Sequence, residues 1–588
     1  MSRLEELPCE LPQSTVESSV NPAAIAIQFE SRLPILMHDD LAAKPVWRDL
    51  LALTGTLRTF YTSNVLLAWK DNISRARAHS FKAKPELCRV VRIESDTQWV
   101  DTFYSFQTDA VPASSCIAIL SLVPNTNGEW KIWAIRTVLD QLSGERNVDF
   151  LEPADPTMYQ ATSPFSTTIE CAVIGAGQAG LSTAGRLKAL GVRCVVVEQN
   201  AEVGQNWKSR YNSAKLHTTR EYAHLPFDRT FPGDRYPEFL TKDDLAGGYR
   251  EWTARFGIDI WLSTKLVSAS WDEQEQLWSL ALEHSNQELI LRSRFLVVAI
   301  GAGCQQPFIP TYSNRDKFQG ITVHSGAYAD SKEWTGLKGV VIGTANTGHD
   351  VAEDMVDAKL ASVTMLQRSP TYVLPAEYYT KILNRTYNAS TPTDLADMVG
   401  SSQPFAVSRL INQKVLHAAA QQEPERFDAL ERAGFRTIRY GDIVYQLFER
   451  FGGHYMDVGC SEKIARGLIK VKSDALPVSY TETGLLFNDG TQLDADVIVF
   501  ATGFQSNLKV QMKDVFGSAI VDKLEDFWGF DDEGEVRGAF KLCGHPTLWF
   551  HGGTLAVARY YSRFIALQIK AAAVGAPFEI YSQSRLNV

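Results

Sequence analysis

The chain has 588 residues, 45% of them hydrophobic and 21% charged, which is long enough for several domains and typical of a folded globular protein. This excludes a peptide hormone, a single small binding module and a disordered chain. The formal net charge is −10 and no basic block is present, which argues against a nucleic-acid partner because phosphate neutralisation requires clustered lysine and arginine.

The cysteines are scattered along the sequence, and no two of them form a CxxC or CxxxxC pair. This spacing excludes zinc ribbons and redox dithiols, so we assign no metal site. No run approaches the roughly 18 apolar residues of a membrane helix, and residues 1–20 lack the apolar core of a signal peptide. We therefore predict a cytoplasmic protein without a membrane partner.

The region before residue 166 predicts a small α+β domain, residues 1–165. Residues 23–33 predict a helix, and the segment 47–54 is grouped with it ahead of alternating strands at 99–106, 115–123 and 130–138. Helices followed by antiparallel strands at this spacing are typical of the α+β class. A linker that contains Pro153, Pro156 and Pro164 separates this region from the rest.

The first nucleotide-binding signature is the run ECAVIGAGQAGL at 170–181, which is followed by a helical pattern and a short strand. Gly175 allows the tight turn, Gly177 leaves room for a pyrophosphate, and Gly180 lets the helix pack on the strand. Glu198 ends the following strand, where a carboxylate can accept hydrogen bonds from ribose hydroxyls. Every element of a Rossmann unit is therefore present in order.

The second signature is the run GVVIGTANTGHD at 339–350, in which Gly343 and Gly348 are kept and Ala345 replaces the middle glycine. The methyl group of Ala345 narrows the approach to a pyrophosphate. The strand at 362–367 is followed by Arg368 and has no acid at its end. A guanidinium binds a 2′-phosphate, so NADPH is favoured over NADH, with an ordinary surface charge as the alternative for Arg368.

Two dinucleotide units in one chain indicate that electrons pass between two cofactors, most commonly from nicotinamide to flavin. FAD has a free ribose 2′-hydroxyl and suits the unit with Glu198, so NADPH is assigned to the unit with Arg368. The predicted fold is α/β, with two Rossmann-like dinucleotide-binding domains preceded by the small α+β domain. We assign residues 166–335 to FAD, 336–480 to NADPH, and 481–588 to a segment that returns to the FAD domain through the strand at 496–504.

Several runs resemble the class B flavoprotein monooxygenases. The run FQGITVHSGAY at 318–328 is similar to their FxGxxxHxxxY/F fingerprint. Trp207, the Leu-His pair at 216–217 and the Leu-Pro-Phe run at 225–227 resemble the plant indole-pyruvate monooxygenase type. The run at 496–504 looks like the family's ATG strand, residues 295–301 are a looser copy of it, and 548–553 resemble the segment that closes on the flavin. The N-terminal region resembles the nuclear-transport-factor-like cone fold that precedes some fungal flavoenzymes.

The resemblance implies an NADPH- and O₂-dependent monooxygenase. In such enzymes NADPH reduces FAD, O₂ forms a flavin C4a-hydroperoxide, and one oxygen passes to a small organic molecule. The residues that the resemblance places nearest this reaction are His217, Asn346 and Tyr328. It also places Trp207 beside the flavin and Thr502 and Gly503 among the cofactor-binding residues.

Alternatives stay open from the sequence. His217 either hydrogen-bonds on the flavin side or packs, and His324 is either a buried histidine that bonds a domain linker or a catalytic group. Tyr328 and Ala329 replace the Trp-Pro pair of Baeyer-Villiger members, which disfavours lactone formation without excluding it. An NADPH oxidase, or a degenerate flavoprotein whose N-terminal domain binds a partner, is a further alternative. A homodimer is also left open.

Overall fold

The computed structural model describes residues 2–155, 168–301 and 306–582. Its parallel and mixed sheets are packed against helices, which confirms the α/β class. Pro156, Pro164 and the predicted domain boundary at residue 165 lie outside the described residues. Within the described ranges, no helix is both long and apolar enough to cross a membrane.

The N-terminal region is a mixed sheet with helices against it. Its elements are helices α1 (Pro22–Glu30) and α2 (Ser63–Ala76) and strands β1 (Leu41–Leu50), β2 (Leu57–Tyr61), β3 (Ala78–Ala83), β4 (Arg89–Glu94), β5 (Thr97–Thr108), β6 (Ser114–Pro124) and β7 (Trp130–Leu142). The strand order is β2-β1-β7-β6-β5-β3, with β4 beside β5. The helix near 23–33 and the strands at 99–106, 115–123 and 130–138 are confirmed, although β1 and β7 pair in parallel.

The segment 47–54, which the sequence pattern grouped with the helices, instead begins inside strand β1. Trp47 stacks on Phe60 on one face of the sheet, at 4.9 Å between ring centroids. Arg48, its neighbour, forms a buried ion pair with Glu535, with Nε 2.7 Å from Oε1. Because both faces of the strand are covered, the polar-apolar alternation that would reveal a half-exposed strand is missing.

The first glycine-rich unit begins after the segment that the structure leaves undescribed. Its elements are β8 (Thr168–Ile174), α3 (Gln178–Ala189), β9 (Cys194–Val197), α4 (Gln205–Lys208), α5 (Arg220–Ala223), α6 (Lys242–Phe256), β10 (Ile260–Trp261), β11 (Thr264–Asp272), β12 (Leu277–His284) and β13 (Gln287–Val298). The strand order is β10-β9-β8-β13-β12-β11, and strands β10, β9, β8 and β13 are parallel. This is the predicted strand-turn-helix-strand unit.

The second glycine-rich unit carries a helical insertion. Its elements are β14 (Ile321–His324), β15 (Lys338–Ile342), α7 (Asn346–Asp357), β16 (Ser362–Leu366), β17 (Thr371–Pro375), α8 (Ala376–Leu383), α9 (Thr393–Ser401), α10 (Phe405–Gln422), α11 (Pro424–Arg432), β18 (Thr437–Ile438), α12 (Ile443–Phe448), β19 (His454–Asp457), α13 (Cys460–Ala465), β20 (Lys470–Lys472), β21 (Pro477–Thr481), β22 (Gly484–Phe487), β23 (Gln492–Asp494) and β24 (Val497–Phe500). The main sheet is parallel, in the order β14-β24-β15-β16-β20. A parallel sheet β18-β17-β19 and an antiparallel sheet β21-β22-β23 flank it.

Strand β24, at the ATG run, does not return to the first sheet as predicted. It lies between β14 and β15 in the second sheet, with Val499 opposite Val341. The physical reason is that β24 closes the second glycine-rich turn: a Cβ at Gly343 would lie 2.3 Å from the carbonyl O of Ala501, which follows β24 directly. Ala299, which follows β13 directly, closes the first turn in the same way. The runs at 295–301 and 496–504 are therefore equivalent closing strands of two different sheets.

The C-terminal part returns to the first sheet through a different strand. Its elements are α14 (Leu508–Gln511), α15 (Lys513–Phe516), α16 (Ser518–Val521), β25 (Leu548–Phe550) and α17 (Leu555–Ala573). Strand β25 pairs in parallel with β13, and α17 packs along α3. Arg563 of α17 reaches the N-terminal region, donating from Nη1 to the carbonyl O of Leu139 at 2.8 Å and pairing with Asp149 at 2.8 Å. The N-terminal sheet is thus joined to the rest by buried polar contacts.

Candidate functional site: two glycine-rich turns

The first glycine-rich turn joins β8 to α3. Gly175 has a φ of +104°, and a side chain there would lie 2.6 Å from the carbonyl O of Ala299. A Cβ at Gly180 would lie 1.8 Å from the carbonyl O of Gly175, so the helix reaches the strand only without a side chain there. Gly177, at the N-cap of α3, faces open space. A pyrophosphate can therefore approach the N-terminus of α3 over Gly177.

Glu198 lies beside this turn, directly after β9, and only 8% of the residue is exposed. Its Oε2 accepts a hydrogen bond from the backbone N–H of Ala176 at 2.7 Å, and its Oε1 accepts one from the backbone N–H of Asn200 at 2.8 Å. These contacts hold the carboxylate at the edge of the turn. A carboxylate in this place can also accept hydrogen bonds from the hydroxyls of an adenosine ribose, which fits FAD.

The segment between β25 and α17 forms a further wall of the first unit, and its contacts with α3 involve Gln178 and His551, two residues to which sequence reasoning gave no role. Gln178 Nε2 donates to the carbonyl O of Gly553 at 3.4 Å, and His551 Nδ1 lies 2.8 Å from Thr183 Oγ1. Burial lowers the pKa of His551 to about 3, so its imidazole is neutral at pH 7. The family-like run at 548–553 was the signal that pointed to this segment.

The second glycine-rich turn repeats this plan between β15 and α7. Gly343 has a φ of +119°, and a Cβ at Gly348 would lie 2.3 Å from the carbonyl O of Gly343. Ala345 is the N-cap of α7, with φ −89° and ψ −173°, an extended conformation that an alanine adopts without strain. The turn therefore fits a second dinucleotide, with a methyl group where the first turn has only hydrogen.

Arg368 follows β16, at the carboxyl edge of the second sheet, and is exposed. The residue before it, Gln367, is buried and donates from Nε2 to Thr371 Oγ1 at 3.2 Å. Thr371 Oγ1 in turn lies 2.7 Å from Thr344 Oγ1, in the glycine-rich turn. The segment that carries the exposed guanidinium is thus hydrogen-bonded to the glycine-rich turn. This position suits binding of the 2′-phosphate on the adenosine of NADPH.

His217 and Asn346 are brought together where the first unit meets the start of α7. The side chain of Asn346 lies close enough to His217 to interact with its imidazole, and Asn346 Oδ1 accepts from the backbone N–H of Met456 at 2.8 Å. His217 Nε2 also lies 3.8 Å from Asp350 Oδ1, one helical turn further along α7. Burial, with Lys215 nearby, lowers the pKa of His217 to about 4, whereas burial raises the pKa of Asp350 to about 6. The imidazole is therefore neutral at pH 7.

Asp350 is a further residue that sequence reasoning missed. Its Oδ2 accepts a hydrogen bond from the hydroxyl of Tyr211 at 2.5 Å. It follows the glycine-rich run directly, and a carboxylate one turn after Asn346 on the same helix face is the signal that could have identified it. Tyr211, Asp350, His217 and Asn346 form one polar group between the two units.

Tyr328 is buried, although the resemblance places it among the residues nearest the reaction. Only 3% of the residue is exposed, and its hydroxyl lies 2.7 Å from Ser331 Oγ and 3.2 Å from Asp354 Oδ2. It contacts α7 one turn beyond Asp350. These contacts fit a residue that positions α7, because its hydroxyl already has two partners in the protein.

The other residues assigned to the cofactors lie at both units. Trp207 is half-buried in α4 of the first unit. Thr502 and Gly503 follow β24 of the second sheet, and the hydroxyl of Thr502 donates to the carbonyl O of Phe308. The carbonyl O of Gly503 lies 3.1 Å from His324 Nε2, which is the contact expected of a histidine that bonds a linker.

Comparison with known proteins gives the same picture. The chain matches the flavin-binding monooxygenase-like (FMO-like) family over residues 168–516. It is 29% identical over 339 residues to the probable indole-3-pyruvate monooxygenase YUCCA1 of Arabidopsis thaliana, covering 57% of this chain and 75% of that protein. It is 27% identical over 361 residues to the FAD-containing monooxygenase EthA of Mycolicibacterium smegmatis, covering 57% and 69%. The solved structure of an oxidized steroid monooxygenase bound to NADP has a similar fold, with a TM-score of 0.52 at 19% identity over 70% of this chain and 86% of that one.

Proposed function

The chain belongs to the FMO-like family and is a monooxygenase that uses FAD and NADPH, and we propose that its reaction centre lies between its two glycine-rich units. The observation that carries this proposal is the polar group formed by His217, Asn346 and Asp350, because it joins the segment after the first turn to the start of α7. There one oxygen atom of O₂ passes to a small organic molecule. When bound, NADPH would supply the two electrons, and FAD would receive them and pass them to O₂.

The first turn holds FAD and the second holds NADPH. Gly175, Gly177 and Gly180 form the passage for the FAD pyrophosphate, and Glu198 binds its ribose. Gly343 and Gly348 play the same part for NADPH, and Arg368 binds the 2′-phosphate. Trp207 lies on the flavin side, and Thr502 and Gly503 on the nicotinamide side.

His217 and Asn346 are the residues that face the reacting groups. A neutral imidazole at pH 7 can hold a hydrogen bond at the cofactor edge without placing a charge in the pocket. Asp350 and Asn346 are the polar side chains that lie beside that ring. Tyr328 acts as a positioning residue, because its hydroxyl is bonded to Ser331 and to α7.

The N-terminal region, residues 1–165, forms a domain of the nuclear-transport-factor-like type that shapes substrate access or assembly. Its strand order, with α1 and α2 packed against the sheet, supports this assignment. The buried contact of Arg48 with Glu535 supports a fixed position beside the oxidoreductase core. The division at 166, 336 and 481, a cytoplasmic location and a homodimer are proposals that rest on the sequence.

An assay of the purified protein tests the proposal. We expect bound FAD in the absorption spectrum, oxidation of NADPH with uptake of O₂, and one ¹⁸O atom from ¹⁸O₂ in the product. The substrate panel contains an amine, a thioether, indole-3-pyruvate and a cyclic ketone, so that the product also separates heteroatom, decarboxylative and Baeyer-Villiger chemistry. If every NADPH consumed yields hydrogen peroxide across the panel, the protein is an NADPH oxidase.

A variant of His217 tests the site itself. Removing the imidazole opens the pocket to water, so His217→Ala should release more hydrogen peroxide per NADPH consumed than the wild type. His417→Ala is the matched control, because this half-buried imidazole on α10 also lies against a backbone carbonyl, 2.8 Å from that of Gly441, and belongs to neither cofactor site. An unchanged ratio of peroxide to NADPH in His217→Ala would remove His217 from the reaction centre.

A further inference from the structure

The turn that follows β16 carries more positive charge than Arg368 alone. Arg436 Nη2 donates to the carbonyl O of Gln367 at 3.1 Å and to the carbonyl O of Arg368 at 3.0 Å. Arg450 Nη2 donates to Ser369 Oγ at 2.9 Å. The guanidinium groups of Arg436 and Arg450 therefore both contact residues 367–369, the segment that carries Arg368.

None of these three arginines has a carboxylate partner within the ranges that the structure describes. The contrast is clearest beside Arg436, because its neighbours on either side are paired. Arg432 forms an ion pair with Glu425, and Arg439 forms one with Glu431 at 2.6 Å. Unpaired like charges repel one another, and the repulsion is relieved when an anion binds between them.

Arg436 is also held in a fixed place relative to the second glycine-rich turn. Gln367 Oε1 accepts from the backbone N–H of Arg436 at 2.8 Å, and Gln367 Nε2 donates to the carbonyl O of Arg436 at 2.9 Å. The same Nε2 reaches Thr371, whose hydroxyl contacts Thr344 of the turn. A nucleotide bound at the turn would thus meet Arg436 in a predetermined geometry.

We propose that Arg436 and Arg450 complete the site for the 2′-phosphate of NADPH that Arg368 begins. This inference rests on the proposed role of Arg368. A phosphate monoester dianion has three accepting oxygens and a charge near −2, and one bidentate guanidinium covers only part of them. Further cations at the same turn therefore strengthen the discrimination against NADH. Both additional arginines come from the chain after helices α8 to α11. Coenzyme preference is therefore shared between the dinucleotide unit and its helical insertion.

Binding measurements on the flavin-loaded protein test this directly. NADP⁺ and NAD⁺ differ only in the 2′-phosphate, and their dissociation constants are measured by isothermal titration calorimetry, with 2′,5′-ADP as a third probe. We expect Arg436→Ala to weaken the binding of NADP⁺ and of 2′,5′-ADP roughly tenfold, and the binding of NAD⁺ by less than about twofold. Arg450→Ala should act in the same direction. Arg432→Ala is the matched control, since it removes the same charge from α11 close by.

The results that would overturn this inference differ from those that would overturn the proposed function. Arg436→Ala overturns the inference if it weakens the binding of NADP⁺ and NAD⁺ equally, or if it weakens neither. In both cases Arg436 only caps the end of β16. Arg436→Gln repeats the test with an amide that can still donate to the two carbonyls, and loss of NADP⁺ preference in this variant supports a role of the charge. If Arg368→Ala alone changes the preference, the proposed function stands and this inference fails. If neither variant changes it, the assignment of the 2′-phosphate to this turn also fails.

Discussion

The two glycine-rich units share one plan but differ in what surrounds them. In each, a closing strand is followed directly by an alanine whose carbonyl lies against the first glycine of the turn, Ala299 for Gly175 and Ala501 for Gly343. The helix after the first turn is enclosed, with ten of its twelve residues buried, whereas five of the twelve residues of α7 are buried. The residue directly after the following strand is the largely buried Glu198 in the first unit. In the second unit it is the buried Gln367, and the exposed Arg368 comes one position later.

From this difference we expect the first unit to retain its cofactor and the second unit to exchange it. The first unit is closed on several sides by the protein, as a resident FAD requires. The second unit presents its charged group to solvent, as a coenzyme that binds and leaves in each turnover requires. The same turn geometry therefore suits both a retained and an exchanging cofactor, and the burial of the residues around each turn makes the difference.

The largest expected effect is at Gly177. A leucine there has open space in the protein but occupies the path of the pyrophosphate, so Gly177→Leu should fold and lose nearly all of its flavin. Gly180→Ala is the contrasting variant, because its Cβ would lie 1.8 Å from a backbone oxygen and disturb the fold itself. Flavin content by absorbance and thermal unfolding by circular dichroism separate the two effects. Full flavin content in folded Gly177→Leu would contradict the assignment of the first unit.

The second-largest effect is expected for Arg368→Ala, on the binding of NADPH. Loss of its charge-assisted contact should cost about 1.5 to 3 kcal/mol of NADPH binding, or roughly ten- to hundredfold in affinity, and leave NADH nearly unchanged. Steady-state kinetics with both coenzymes check this. The flavin content should stay at the wild-type level, because the first unit is untouched. Equal weakening of NADPH and NADH would show that Arg368 does not contact the 2′-phosphate.

Acid should destabilise both units through their buried histidines. Burial lowers the pKa of His551, beside α3, to about 3 and that of His349, in α7, to about 4, from 6.5. The unfolded chain binds protons at these residues below pH 6.5 and the folded chain does not, so stability falls as the pH falls from 6.5 toward 4. The loss is about 2 kcal/mol for each histidine at pH 5. Asp350, whose pKa burial raises, offsets part of it.

Thermal unfolding at pH 7.5 and pH 5 measures this loss. His551→Gln and His349→Gln should each reduce the difference between the two midpoints, which tests the first and second unit separately. The exposed His38→Gln is the control and should behave as the wild type. If both buried-histidine variants keep the wild-type difference between the unfolding midpoints at pH 7.5 and pH 5, then other groups govern the loss of stability in acid.

The smallest effect is expected at Ala345. Replacement by glycine removes the methyl group from the pyrophosphate path, so Ala345→Gly should tighten NADP⁺ binding by less than about tenfold. The reciprocal variant, Gly177→Ala, should weaken flavin binding. Calorimetry with NADP⁺ and flavin content by absorbance provide the two measurements. Weaker NADP⁺ binding in Ala345→Gly would show that the alanine is needed to hold the turn.

Much of both units could be predicted from sequence because their determinants are consecutive. Strand, turn, helix and the next strand follow one another within a short stretch. Gly180 and Gly348 are required by contacts inside that stretch, with the carbonyls of Gly175 and Gly343. The structure confirms the strand-turn-helix order around Gly175 and Gly343. The segment 47–54 was misread because its strand is covered on both faces and has no alternation.

The amino-acid sequence by itself determined the two dinucleotide turns and their family. The tertiary structure decided which strand closes each turn, so that β24 joins the second sheet and β25 the first. It also decided that His217 meets Asn346 and Asp350, that Arg436 joins Arg368, and that Arg48 is buried against Glu535. Such contacts join residues far apart in the chain. They arise from parallel strand pairing and from the need to partner buried charges, and neither leaves a periodic pattern in the sequence.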